Sequence, residues 1–293
     1  MLELRSGSMS AIVAPERGAA VLGWLRDATP ILRRATATAV FGAAGAMGAF
    51  PLVPYCNRIA FGRFRWGGRD YTLHRNFGDH PHTLHGIGWQ RAWTVESAEP
   101  AFTELSLEHD PLTAGAEGWP FAFRATASYR MTRDALHVGL SVTNRHAEPA
   151  PAGIGLHPYF PRHVFTALRF TATGVWVNDS TALPVSHEAV PAAWDHAAGR
   201  QVGSVVLDNC FTGWDGQATL VGTGLSLSLT ADTAFRNLQV FTPPGATAFA
   251  AEPVSHAPDA INRPGLPTGQ AMHVLAPGAT LAGTLVLSLA GPS

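Results

Sequence analysis

The segment ALHVGLSVTN, residues 135–144, alternates apolar side chains with small or polar ones. Its large apolar side chains stand at every second position from Leu136 to Val142. Successive side chains of a β-strand point to opposite faces, so this spacing puts the apolar groups on one face. The segment therefore predicts a strand with one side on a hydrophobic core and the other side toward solvent or a second layer.

The same two-residue period recurs at residues 121–129, 225–229 and 285–289. The 30 glycines and 22 prolines are spread over the whole chain, as many turns between short strands require. No amphipathic pattern longer than two helical turns, no repeat and no interdomain linker interrupts this arrangement. The sequence predicts an all-β fold, a large antiparallel β-sandwich that occupies residues 1–293 as a single domain.

One hairpin can be placed in more detail. The pair Gly67-Gly68 has the composition of a tight two-residue turn. Strand parity then sends Arg63 and Arg65 to the solvated face of the hairpin, opposite Phe64 and Trp66.

The composition excludes several classes of function. The chain has 293 residues with 20 basic and 21 acidic side chains, and all the basic ones are arginine. A net charge of −1 argues against a nucleic-acid partner, which needs an excess of cations to neutralise phosphates. The absence of lysine excludes Schiff-base chemistry and a phosphate-binding loop of the GxxxxGK[ST] type.

The remaining compositional features indicate a reducing compartment. Two cysteines, Cys56 and Cys210, form neither a disulfide framework nor a CxxC metal motif, so we expect two buried, reduced thiols.

Residues 35–56 carry no charge, but they are rich in Ala, Gly and Thr and contain Pro51 and Pro54. That composition is too weakly apolar for a membrane span. We expect a cytoplasmic protein with no membrane partner.

Polar or ionisable residues interrupt apolar, turn-rich sequence in four short segments: residues 54–59, 80–86, 155–160 and 250–254. Glu252 is the most informative of these residues, because it follows the apolar run at 248–251. An unpaired carboxylate in such surroundings is unfavourable. Such an acid is usually paired, shifted in pKa or catalytic.

A metal-dependent β-barrel enzyme is one alternative, with His80, His82 and His85 as ligands. Histidines at alternate strand positions place their rings on one face, and imidazole is a common ligand. The ligand set is incomplete, however, because no acidic residue follows before Glu96. We therefore expect no metal, and interpret His80 and His82 as residues that flank a site.

Taken together in their order along the chain, the four segments and their neighbours resemble one family, the aldose 1-epimerases or galactose mutarotases. The resemblance covers nearly the whole chain. Within the family, the sequence is most similar to a less characterised, mutarotase-like branch. It is carried by residues 12–19, Pro51-Leu52-Val53-Pro54-Tyr55-Cys56-Asn57-Arg58-Ile59, Leu84-His85-Gly86, Leu156-His157-Pro158-Tyr159-Phe160, Leu207-Asp208-Asn209, residues 238–242 and Ala251-Glu252-Pro253.

The resemblance implies the family's sandwich fold, known as a supersandwich, and roles for individual residues. Glu252 matches the general base and His157 the general acid, while His85 matches the histidine that orients the sugar near its ring oxygen. The residues that match holders of sugar hydroxyls are Asn57, Arg58, Asp208 and Gln239. The chain departs from the family's pattern at Pro161, Arg162 and Ala251. These departures bear on which sugar is the substrate more than on which reaction is catalysed.

The residue types suit the chemistry. Interconversion of α and β anomers requires a proton to leave the C1 hydroxyl and another to reach the ring oxygen. A carboxylate and an imidazole, with reference pKa values of about 4.3 and 6.5, can do both near neutrality. The sequence therefore predicts cofactor-independent interconversion of the anomers of a free aldose, a neutral hexose, with Arg58 as the arginine of the sugar site. Trp89 and Trp214 are candidates for stacking on the sugar.

A noncatalytic carbohydrate-binding protein on the same fold is the second alternative, since fold does not determine function. A binding protein has no need for both Glu252 and His157, and this pair favours the enzyme. The pattern is compatible with a monomer or a homodimer, because strand edges that pair across a dimer look like other strands.

Overall fold

The computed structural model describes residues 1–35, 47–113 and 117–290. These ranges contain β-strands and short 3₁₀ turns, and no α-helix is found within them. The strands are β1 (Leu2–Ser6), β2 (Met9–Ala14), β3 (Ala20–Arg26), β4 (Thr29–Leu32), β5 (Pro51–Leu52), β6 (Arg58–Ile59), β7 (Arg63–Trp66), β8 (Arg69–Thr72), β9 (Thr83–Leu84), β10 (Thr94–Glu99), β11 (Phe102–His109), β12 (Phe123–Met131), β13 (Ala135–Asn144), β14 (Ala150–Ala152), β15 (Gly155–Leu156), β16 (Tyr159–Pro161), β17 (Phe165–Phe170), β18 (Gly174–Asn178), β19 (Pro184–Ala189), β20 (Arg200–Gln201), β21 (Asp208–Thr212), β22 (Gln217–Gly222), β23 (Leu225–Ala231), β24 (Asn237–Phe241), β25 (Ala248–Val254), β26 (His273–Leu275) and β27 (Thr280–Ala290). The 3₁₀ turns are Pro15–Arg17, Ala60–Gly62, Gly88–Gln90, Ala192–Trp194 and Ala260–Asn262.

Two large antiparallel sheets make up most of the molecule. One has nine strands in the order β10-β11-β12-β13-β27-β23-β22-β17-β20. The other, with eight strands, has the order β19-β18-β21-β24-β25-β15-β5, with β16 also paired to β25. The other sheets of the described residues are a four-stranded one (β1 to β4) and three two-stranded pairs (β14-β26, β6-β9 and β7-β8). The predicted all-β, antiparallel sandwich is confirmed.

Strand β13 lies near the centre of the nine-stranded sheet, between β12 and β27. Leu136, Val138 and Leu140 are buried in the main core, while His137 and Ser141 on the other face are partly exposed. The alternation of the sequence therefore corresponds to one buried face.

Strand β25 is buried on both of its faces, and this determines where a site can form. Phe249 and Ala251 belong to the main core cluster. Ala250 belongs to a smaller cluster on the opposite face, and Glu252 shares that face because side chains two residues apart lie on the same side. Glu252 is thus directed away from the main core.

The β7-β8 hairpin has the predicted turn. Trp66 pairs with Arg69, so Gly67 and Gly68 form a two-residue connection, with φ of +54° and +79°. These left-handed angles suit glycine. Phe64 is buried and Trp66 partly buried, whereas Arg63 and Arg65 are exposed, as strand parity indicated.

Cys56 and Cys210 are buried free thiols, as predicted, and burial raises the pKa of each. The backbone N–H of Cys56 donates to Nε2 of His256 over 3.0 Å, which ties together positions 200 residues apart. Residues 36–46, half of the uncharged stretch 35–56, lie outside the described residues. In the described part of the chain, no helix has the length and apolar character needed to cross a membrane.

Candidate active site

Glu252 and Gln239 are directly opposite each other on neighbouring strands, β25 and β24. Paired residues in an antiparallel sheet present their side chains on the same face, here the face away from the main core. Asp208 begins β21, the next strand, where it pairs with Phe241 of β24. The eight-stranded sheet thereby brings two acids and an amide to one surface.

His157 stands between β15 and β16, and its backbone N–H donates to the carbonyl of Phe50 over 3.0 Å. This turn places Nε2 of His157 3.2 Å from Oε1 of Glu252. Both residues are buried, with exposures of 5% for His157 and 2% for Glu252. The two residues matched to the acid and base roles are therefore within hydrogen-bond distance of each other.

Burial sets the protonation of this pair. It raises the pKa of Glu252 well above its usual range, with a further rise from the nearby Asp208. It lowers the pKa of His157 well below its usual range, and the neighbouring His85 and Arg33 act in the same direction. Burial therefore favours the form in which the carboxyl is protonated and the imidazole is neutral, a form in which the pair carries one titrating proton. Transfer of that proton across the 3.2 Å contact gives the carboxylate–imidazolium form.

His85 lies just after β9 in a left-handed backbone conformation, with φ of +62°. Gly86 follows with φ of +69°, and a Cβ there would stand 2.1 Å from the Val53 carbonyl oxygen, so no other residue fits. The Asn57 N–H donates to Nδ1 of His85 over 3.2 Å, which leaves the ring proton on Nε2. Burial lowers the pKa of His85 to about 3, so it is a neutral hydrogen-bond donor.

The four residues matched to hydroxyl binding form one network. Arg58 makes an ion pair with Asp208, with Nη2 to Oδ2 at 2.7 Å, and its Nη1 donates to Asn57 Oδ1 over 3.2 Å. Gln239 Nε2 donates to Asp208 Oδ1 over 2.8 Å. Asp208 is therefore fixed from two sides, and the charge of Arg58 is neutralised beside it.

A cavity of about 230 Å³ opens at this point. It lies below the range of about 300–1,000 Å³ that drug-sized ligands occupy, so it suits a small molecule. The described residues around it are Asn57, Arg58, Phe77, His80, Leu84, His85, His157, Tyr159, Asp208, Phe241 and Glu252. Of the seven predicted site residues, Gln239 alone is outside this set, behind Asp208.

Two buried oxygens of the site have no hydrogen-bond partner among the described residues, namely Glu252 Oε2 and Gln239 Oε1. Buried polar atoms are nearly always hydrogen-bonded in folded proteins. Glu252 lines the cavity, so its Oε2 is an acceptor that a polar ligand there could satisfy, whereas Gln239 does not line it.

Neither of the two candidate tryptophans, Trp89 and Trp214, lines the cavity. Trp89 is fully buried beneath the His85 turn, where its Nε1 donates to the carbonyls of Leu84 and Gly86. Trp214 is in the main core and donates to the Gln217 carbonyl. The aromatic side chains that do line the cavity are Phe77, Tyr159 and Phe241.

Sequence reasoning missed these residues, although a signal existed for two of them. Phe241 stands two positions after Gln239 on β24, which is the spacing of one strand face. Tyr159 stands two positions after His157, at the start of β16. No comparable signal marks Phe77.

The three candidate metal ligands are used in other ways. Nδ1 of His82 accepts from the Phe61 N–H, and Nδ1 of His80 accepts from the His82 N–H. His85 uses its Nδ1 for Asn57, as described above. Within residues 1–35, 47–113 and 117–290, no group of three or more His, Cys, Asp or Glu side chains is placed to hold a metal ion. The sequence analysis interpreted His80 as a residue that flanks the site. In the structure His80 lines the cavity itself.

Comparison with known proteins agrees with this architecture. The family model described as aldose 1-epimerase matches residues 1–288. The uncharacterized protein YphB of Escherichia coli K12 is 33% identical over 290 residues, which cover 94% of this chain and 93% of the relative. The chain belongs to the aldose 1-epimerase family, and it is an isomerase of that family.

Solved structures show the same fold. The crystal structure of an aldose 1-epimerase-type protein of Escherichia coli K12 superposes with a TM-score of 0.88 at 32% identity, covering 99% of this chain and 98% of the other. A galactose mutarotase-like protein of Clostridium acetobutylicum gives a TM-score of 0.87 at 19% identity, covering 99% and 94%. At that lower identity the likeness shows the shared fold alone.

Proposed function

We propose that this protein interconverts the α and β anomers of a free, neutral hexose without a cofactor, with Glu252 as general base and His157 as general acid. His85 orients the sugar near its ring oxygen. Asn57, Arg58, Asp208 and Gln239 form the network that holds the hydroxyls.

The observation that carries this proposal is the 3.2 Å contact between Glu252 Oε1 and His157 Nε2 at the cavity. The anomeric hydroxyl oxygen and the ring oxygen of a pyranose are bonded to the same carbon, C1. The groups that exchange protons with these two oxygens must therefore be neighbours. Glu252 and His157 meet this requirement. Together they carry one proton that can be donated and one atom that can accept a proton.

The reaction balances without an external proton. With the proton on His157, Glu252 takes the proton of the C1 hydroxyl and Nε2 of His157 protonates the ring oxygen as the bond from C1 to that oxygen breaks. The open-chain aldehyde then rotates about C1–C2. Closure on the other face of the carbonyl returns both protons to their starting positions.

The charges around the cavity favour a neutral sugar. Among the described residues that line it, Arg58 is the permanent cation, and its charge is paired with Asp208. Arg63 and Arg65 are exposed on the β7-β8 hairpin, where Arg65 pairs with Asp70. A phosphate or carboxylate group would have to compete with Asp208 for the guanidinium of Arg58, which is unfavourable.

The proposal is tested with freshly dissolved pure anomers of glucose, galactose and other aldohexoses, followed by polarimetry or by the anomeric proton signals in NMR. We expect the protein to accelerate the approach to the anomeric equilibrium of at least one neutral hexose. Sugars that bind but equilibrate at the uncatalysed rate would instead identify a noncatalytic binding protein.

A further inference from the structure

His157 lies within a column of four planar groups. Its ring stacks on Phe50 with centroids 4.8 Å apart and on Tyr159 with centroids 4.5 Å apart. The guanidinium carbon of Arg33 lies 3.7 Å from the centroid of the Tyr159 ring. The order of the column is Phe50, His157, Tyr159 and Arg33.

Arg33 is held firmly at the end of this column. Its Nε and Nη2 both donate to the Met47 carbonyl, over 3.0 Å and 2.6 Å. Its backbone N–H donates to the Tyr159 carbonyl over 2.8 Å, and the Tyr159 N–H in turn donates to the Gly48 carbonyl over 2.8 Å. Side chain and backbone of Arg33 thus fix the same tyrosine, which lines the cavity.

Tyr159 transmits this constraint to the imidazole. Its ring covers one face of His157 while Phe50 covers the other, so the imidazole cannot tilt out of its plane without losing both contacts. The Tyr159 hydroxyl is also 3.4 Å from Nε2 of His157, the atom that faces Glu252. A guanidinium over an aromatic face is attracted by the ring and resists its movement.

We propose that Arg33 is a positioning residue for the reaction, because through Tyr159 it holds the His157 imidazole with Nε2 directed at Glu252. This inference rests on the proposed function for its effect on turnover. It assigns a role to Tyr159 and Arg33, which the predicted site did not include.

The charge of Arg33 adds a measurable signature. The titratable or charged groups that face His157 are Glu252 from β25, His85 from the turn after β9, Tyr159 from β16 and Arg33 beyond that ring. A nearby cation disfavours the imidazolium form and makes it a stronger proton donor. Removal of this cation should let the imidazolium persist to higher pH.

The test uses Arg33→Met, Arg33→Gln and Arg33→Lys in the full chain. Arg33→Met and Arg33→Gln should lower kcat about 10- to 10²-fold with little change in KM, as expected for a displaced catalytic group. The alkaline limb of the pH profile should move up by roughly 1 pH unit. Arg33→Lys keeps the charge, so its limb should stay in place while kcat recovers only in part.

Arg130→Met is the matched control, because Arg130 makes the same type of contact with Phe102, at 4.4 Å, away from the cavity. It should leave kcat and the pH profile as in the wild type. Tyr159→Phe keeps the ring and should lose less turnover than Tyr159→Leu, which removes it.

A second readout separates this inference from the proposed function. The ¹⁵N signals of the His157 ring, assigned by their loss in His157→Asn, should titrate at higher pH in Arg33→Met and Arg33→Gln. Unchanged signals and an unchanged kcat in both variants would overturn the positioning role. If the wild type accelerates no anomeric exchange, the proposed function fails, while these signals still decide whether Arg33 controls His157.

Discussion

Oε1 of Glu252 and Nε2 of His157 are 3.2 Å apart, on two side chains that are both almost completely buried. Burial disfavours the charged form of each group. Because the two atoms are this close, the charge on one group also affects the titration of the other. The first three predictions depend on the burial and the closeness of these two groups.

Glu252→Gln should abolish anomeric interconversion, with a loss of about 10²–10⁴-fold, because the amide cannot accept the hydroxyl proton. The amide can still donate a hydrogen bond to Nε2 of His157, so the fold and sugar binding should be retained. NMR of the anomeric protons measures the rate, and calorimetric titration with the sugar measures binding. Activity within a few-fold of the wild type would show that Glu252 is not the base.

The same substitution should stabilise the folded protein at higher pH. The pKa of Glu252 is raised on folding, so the unfolded state loses this proton first as the pH rises above about 4.3, and stability is lost from there upward. The amide of the variant does not titrate and is free of this penalty. The melting temperature of the variant should exceed that of the wild type by roughly 2 °C or more at pH 8, with the difference vanishing near pH 4. A difference that is equal at both pH values would contradict this account.

The rate should have a bell-shaped dependence on pH, because the active pair holds one proton. As the pH falls, a second proton binds and no base remains; as the pH rises, the single proton is lost and no acid remains. His157→Asn should reduce turnover by about 10²-fold or more and should remove the bell. The kcat/KM profile of each protein provides the measurement. A rate that climbs steadily through neutrality and beyond would exclude an imidazolium acid.

Asp208→Asn should weaken sugar binding more than it slows turnover, because the carboxylate joins Arg58 and Gln239 in one network. Hydrogen bonds to charged groups are the stronger ones, and we expect KM to rise roughly 10-fold. Glu108→Gln is the control, since the exposed Glu108 pairs with Arg124 and neither residue lines the cavity. An unchanged KM in Asp208→Asn would remove Asp208 from the sugar site.

A neutral hexose should be a better substrate than its 6-phosphate, because Arg58 is already paired with Asp208. The comparison of kcat/KM for glucose or galactose with that for glucose 6-phosphate tests this directly. The variants Arg63→Ala and Arg65→Ala should leave both values unchanged, since these side chains are exposed on the hairpin. A preference for the phosphorylated sugar that either variant abolishes would reverse the assignment.

The sequence was sufficient for the fold class and for six of the residues that line the cavity, for a physical reason. The two-residue period follows from one buried face, and a buried acid such as Glu252 is rare enough to be noticed. The meeting of Glu252 with His157 could not be predicted by spacing, because it depends on how β16 and β25 pair.

The two tryptophans show that a side chain close in sequence to a site motif need not lie in the site. Trp89 is four residues after His85, yet the intervening turn folds it underneath, where it supports the backbone of the site. Arg33 had no sequence signal, since its contact with Tyr159 joins the end of β4 to β16, two segments that are far apart in the chain.

The pairing of Arg58 with Asp208 spans 150 residues, and that of Cys56 with His256 spans 200. Such contacts give the protein a high contact order. The entropy lost in closing long loops must then be overcome before the contacts contribute stabilising free energy. The cavity therefore has no local precursor: an unfinished or partly folded chain contains the residues of the candidate site but not the site itself. Catalytic activity in this fold is a direct measure of how many molecules have completed folding.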